Sequence, residues 1–190
     1  MLGDEQSGHI KEVGIELYQQ MLEEAVAQAK SGSFDGEIDQ GWSPQINVGA
    51  SVMIPERYVK DLNLRMSLYR RIAGLDDKND VDAFGAELID RFGTLPEEVE
   101  HLLKIIEIKQ YCRRAGIEKI ETGPKGAIIS FRNSKFANPG GLIEFLTKQG
   151  SVTKLRPDHK LVYVRKWSKI ESRLIGSLNL SKAMAKIAEK

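Results

Sequence analysis

Two carboxylates three residues apart, Glu87 and Asp90, are the sharpest chemistry-bearing pair in this 190-residue sequence. On a helix that spacing places them on one face. Such a pair can serve acid–base catalysis, hold a cation, or meet the arginines of a partner. Catalysis would need a cleft with further placed groups, and no motif around the pair supplies one, so it ranks last. A solvated helix face is the plainer alternative.

Other reactive side chains are scattered. His9, His101, His159 and the single cysteine, Cys112, show no metal-ligand spacing. His101 reads as a surface or boundary residue. Ser7 lacks the strand–turn–helix setting of a nucleophile elbow. No phosphate-binding glycine loop occurs. Gly123-Pro124-Lys125-Gly126 is basic and glycine-containing, but it is short and joins two β-prone runs, so it reads as a turn. These observations predict no active site, metal or cofactor in the chain itself.

Charge is unevenly spread. Residues 1–50 carry two basic groups against nine acidic, residues 51–115 eleven against twelve, and residues 116–190 fifteen against six. The basic end raises a binding alternative, a basic nucleic-acid-binding module, though its few aromatics do not form a stacking pattern. The composition is 41% hydrophobic and 29% charged, the balance of a globular protein. No apolar run is long enough to span a membrane. The start lacks the features of a signal peptide, and one cysteine offers no internal disulfide, so the expected location is cytoplasmic.

The elements that must position these residues follow from periodicity. Residues 13–30 predict an amphipathic helix on Val13, Leu17, Met21 and Ala25. A linker, residues 31–48, follows, rich in Gly, Ser and Asp. Phe34, Ile38 and Trp42 within it are spaced by four and could anchor it to a surface. A three-helix block comes next. Pro55 suits the first turn of its first helix, whose stripe is Tyr58, Leu62, Met66, Tyr69 and Ile72 or Ala73. The second helix starts near Asn79 or Asp80, buries Val81, Phe84, Leu88 and Phe92, and stops at Gly93. The third runs from Pro96 to Gly116 with Val99, Leu102, Leu103 and Ile106 as its face. Two hairpins follow, Ile117–Phe131 and Val152–Arg165, with a short helix Leu142–Gln149 between them and a last helix over Ser168–Ala188. The expected fold is α+β, a helical block and then a small antiparallel sheet with packed helices, in the order αααββαββα.

Two stretches closely resemble a known family. PQINVGASVMIPERYVKDLNLRMSLYRRIA (44–73) and ELIDRFGTLPEEVEHLL (87–103) resemble the C-terminal domain of the bacterial transcription-repair coupling factors, the Mfd family. LGDEQSGHIKEVGIELYQQMLEEAVAQAK (2–30) is similar to the end of the translocation motif that these proteins share with the RecG helicases. The resemblance implies three parts: residues 1–30 as the end of that motif, 31–48 as a linker, and 49–190 as the C-terminal regulatory domain. It assigns Gln6 to the translocation motif, while the arginine that partners it lies in a stretch this chain lacks. The family's motor uses ATP and magnesium to move along duplex DNA, pushes stalled RNA polymerase off lesions, and recruits UvrA. Without motor domains the chain is expected not to be an enzyme. The C-terminal domain is expected to pack on the UvrB-like N-terminal domain of the same protein and cover its UvrA-binding surface. Glu87 and Asp90 match the family's polar contact with that domain.

Overall fold

The computed structural model describes residues 43–190. The helix expected over 13–30, the Phe34–Ile38–Trp42 spacing and Gln6 lie outside the described residues. The chain divides into two compact units. Among the described residues, unit 1 is 51–102, and unit 2 is 43–50 with 103–190.

Unit 1 begins with a turn. The backbone N–H groups of Tyr58 and Val59 both donate to the Pro55 carbonyl, at 3.0 and 3.1 Å. Helix α1 (Leu62–Ala73) starts only after it, where the Asp61 carboxylate accepts from the Leu64 N–H. Pro55 therefore opens a turn rather than a helix. The reason lies in side-chain ties: Arg65 donates back to the nearby Val59 and Lys60 carbonyls, and the Tyr58 hydroxyl reaches the distant Leu88 and Gly93 carbonyls. The apolar stripe turns accordingly. Leu68, Tyr69 and Ile72 are buried, whereas Leu62 is exposed.

Helix α2 (Lys78–Phe92) starts earlier than expected because Asp77 and Asp80 form a capping box, each side chain accepting from the other's backbone N–H. Val81, Phe84 and Leu88 are buried on the predicted face. Helix α3 (Glu97–Ala115) has Glu97, Glu98 and Glu100 in its first turn and Arg113 and Arg114 in its last, which complements the helix dipole. The boundary between the units falls inside this helix, after Leu102.

Unit 2 is built on a five-stranded sheet. Its strands are β1 (Gln45–Asn47), β2 (Ile117–Gly123), β3 (Gly126–Phe131), β4 (Thr153–Leu155) and β5 (Leu161–Val164), in the order β1-β2-β3-β5-β4. Both predicted hairpins are present. Ala127, Ile129 and Phe131 are buried, as their alternation requires. Gly126, at φ 124, closes the first hairpin, and a Cβ there would overlap the Tyr163 carbonyl of the neighbouring strand.

One strand is new. Gln45–Asn47 falls within the stretch read as linker, and it pairs parallel to β2, with Ile46 opposite Ile120. The sheet is therefore mixed rather than wholly antiparallel. Pro44, Ile46 and Val48 are buried while Ser43, Gln45 and Asn47 are exposed, a strand's period of two.

Helices α4 (Pro139–Gln149) and α5 (Ile170–Ala188) complete unit 2, with α5 packed on β2 and β3. Asn138 joins the two helices. Its Oδ1 accepts from the Gly141 N–H at the start of α4, and its Nδ2 donates to the Ile187 carbonyl near the end of α5. Arg173 on α5 donates to the Trp167 and Val48 carbonyls, tying the end of β1 to the helix. Taken in sequence after β1, the elements run αααββαββα, the expected α+β order.

Candidate functional site

The capping box fixes where α2 begins, and the buried Val81–Phe84–Leu88 face fixes its rotation. Those two constraints place Glu87 and Asp90 on the surface of unit 1, in different surroundings.

Glu87 is held by its own chain. Arg71, from the last turn of α1, donates to both carboxylate oxygens at 2.7 and 2.6 Å, the paired geometry that guanidinium favours. Arg91, four residues along α2, donates at 3.0 Å. Each arginine also lies over an aromatic ring, Arg71 over Phe84 at 5.1 Å and Arg91 over Phe92 at 5.0 Å. These hydrogen bonds, Arg71's first and Arg91's second, hold the Glu87 carboxyl down at about 2.

Asp90 is exposed and forms no ion pair among the described residues. Ile89 beside it is half exposed, at 50%. The Arg71–Glu87–Arg91 group carries one net positive charge, and Asp90 adds one negative charge at the next turn. The patch thus combines an internally neutralised carboxylate, a carboxylate without a counter-ion and an apolar knob. It can offer a charge-assisted hydrogen bond to a cationic partner. It holds no nucleophile and no enclosed cleft.

The sequence could have revealed half of this arrangement. Glu87 and Arg91 stand at i and i+4, a spacing that pairs on any helix. Arg71 could not be assigned, because its approach depends on how α1 lies against α2.

Elsewhere, Cys112 is buried and desolvation pushes its thiol far up, so it is not a reactive thiolate. His101, expected at the surface or boundary, is buried, with Nε2 3.8 Å from Glu97. Among the described residues no group of three or more His, Cys, Asp or Glu could hold a metal. No described helix is long and apolar enough to cross a membrane.

Comparison with known proteins places this geometry in a family. The TRCF domain family matches residues 48–142. A transcription-repair-coupling factor of Rickettsia conorii is 45% identical over 167 residues, covering 87% of this chain and 14% of the relative. The factor of Escherichia coli K12 is 34% identical over 176 residues, covering 92% of this chain and 15% of the relative. The chain thus spans about a seventh of the length of these relatives. A crystal structure of the C-terminal domain of a transcription-repair coupling factor shares the fold, with a TM-score of 0.62 at 21% identity, over 77% of this chain and 94% of that one. The chain belongs to the TRCF domain family, that of the C-terminal domain of transcription-repair coupling factors.

Proposed function

We propose that this chain is the regulatory C-terminal domain of a transcription-repair coupling factor and that it acts as a clamp. In this reading it packs on the UvrB-like N-terminal domain of the same protein and masks the surface that recruits UvrA. The rest of that protein, a motor using ATP and magnesium, would move on duplex DNA in the cytoplasm and displace stalled RNA polymerase at lesions. The observation that carries the reading is Asp90, an exposed carboxylate without a counter-ion beside a half-exposed Ile89. A clamp that must open calls for a modest, polar contact. Exposed charge pairs contribute about 0–1 kcal/mol, and well-placed interfacial ones contribute more.

The test is binding of this chain to the isolated UvrB-like domain, followed by calorimetry and repeated with the two tethered. Weak binding is expected, reduced several-fold by Asp90→Ala and less by Glu87→Ala, whose carboxylate is already engaged. Unchanged binding in the double variant would remove both residues from the contact. No binding even when tethered would remove the clamp.

A second reading, a basic nucleic-acid-binding module, draws on unit 2, where nineteen basic groups stand against seven acidic. Several of these cations already hold carboxylates: Arg114 with Glu189, Lys119 with Glu121, Lys148 with Glu144 and Arg156 with Asp158. Affinity for duplex DNA that falls steeply with salt would support this reading. Absence of a gel shift at low salt would end it.

A further inference from the structure

Unit 2 contains a groove of about 550 Å³, bounded by α4, by β5 with the segment after it, and by α5. That volume lies in the range of clefts that take a drug-sized ligand, room for several side chains of a partner. Its construction is specific. Trp167 forms part of the wall and is buried against α5 at Gly176, where a Cβ would overlap the indole ring. The absence of a side chain at Gly176 lets the helix backbone pack directly against the ring. Ile175 stands at the rim, 50% exposed.

The groove is also polarised. Arg165 and Lys166 line it, and no carboxylate does. Arg165 is held in place without being neutralised. Its guanidinium lies 4.7 Å over the Tyr163 ring and donates to the Gln149 amide oxygen at 3.3 Å. Lys166 is exposed and makes no ion pair among the described residues. Two cations without carboxylate partners thus line the same groove as a half-exposed Ile175.

We propose that this groove docks a short acidic peptide segment carrying an apolar anchor, with its carboxylates at Arg165 and Lys166 and its apolar side chain against Ile175. The inference goes beyond the clamp reading and uses none of its residues. The same charges could attract a single-stranded nucleic acid, but two of the three aromatic rings that line the groove are engaged, which leaves only Phe145 for a base and no run of stacking rings. The Trp167 indole is packed under Gly176, and Arg165 covers a face of Tyr163. Base stacking needs an open ring face. A peptide needs only the rim and the charges.

The test uses the whole chain and three fluorescent probes: a short glutamate peptide with a central Leu-Phe pair, its lysine counterpart, and a short oligothymidylate. Anisotropy should show binding of the acidic peptide that weakens with salt. Lys166→Glu and Ile175→Asp alter exposed side chains, and each should weaken binding about tenfold or more. Their thermal unfolding midpoints should match that of the parent chain, which separates lost binding from lost folding. Stronger binding of the lysine peptide or the oligothymidylate would overturn the proposal. So would undiminished binding in both variants, or no binding of the acidic peptide at low salt.

Discussion

The two units solve the same problem by different means. Unit 2 rests on a sheet whose backbone pairs itself, covered by α5 and pinned by an indole against a glycine. Unit 1 has no strand among its described residues and ties its helices with side chains, in which hydroxyls and guanidinium groups reach backbone and carboxylates. Their charges are opposite. Residues 51–102 carry seven basic groups against eleven acidic, a net −4, while residues 103–190 carry nineteen against seven, a net +12. Both units bury an apolar core, but unit 2 adds a backbone-paired sheet and unit 1 adds side-chain ties between its helices, and each surface favours partners of opposite sign.

The largest expected effect tests the apolar side of this contrast. Trp167→Ala should destabilise unit 2 by about 3–5 kcal/mol, the usual cost of emptying a large buried aromatic site. Hydrogen exchange resolved by residue is the measurement. Protection should fall across β2, β3, β5 and α5 and persist over residues 51–102. An equal fall in both regions would show that the division between the units has no energetic meaning.

What the sequence made legible follows the same division. In unit 2 one strand of the first hairpin carries an alternating apolar set, and Ala127, Ile129 and Phe131 are buried as read. Strand β1 was hidden because three residues are too few to establish a period, and the Gly-, Ser- and Asp-rich stretch before them reads as linker. The buried face of α5 was also obscured. Ser177 and Ser181 are fully buried there, and Ser181 satisfies its hydroxyl by donating to the Leu178 carbonyl of its own helix. Hydropathy marks such serines as surface. In unit 1 the helices were legible and the details were not. Asp61 and Asp77, rather than the residues nearest the apolar stripes, set the helix starts. Of the candidate site, the residue types at 87 and 90 were readable, but the cross-helix arginine that distinguishes them was not.

A smaller effect probes the polar ties of unit 1. The Tyr69 hydroxyl accepts a 2.7 Å hydrogen bond from the Ile54 N–H, and both residues are buried. Tyr69→Phe keeps the ring and removes the acceptor, leaving a buried donor unmatched. The expected cost is about 1–3 kcal/mol, read as a lower urea midpoint with an unchanged slope. A cost near zero would mean that this side-chain tie adds nothing to the apolar packing of unit 1, and the contrast with unit 2 would narrow.

The smallest effect concerns charge alone and falls on the candidate site. Glu87 has a folded-state value of about 2, below its ordinary value of 4.5. The folded state therefore binds fewer protons than the unfolded state between those values, and stability rises with pH across that window. The contribution is present above about 4.5 and is lost as pH falls toward about 2. It is modest, because the group is at the surface and salt screens it. Carbon-detected titration of the Glu87 carboxyl should give the depressed midpoint directly. Arg71→Met, which removes the first cause of the depression, should move the midpoint up toward 4.5 more than Arg91→Met does. If Arg91→Met had the larger effect, α2 alone would hold Glu87, and the tie between α1 and α2 would lose its electrostatic part. If neither variant moved the midpoint, Glu87 would be as available to a partner as Asp90, and the distinction between the two carboxylates would disappear.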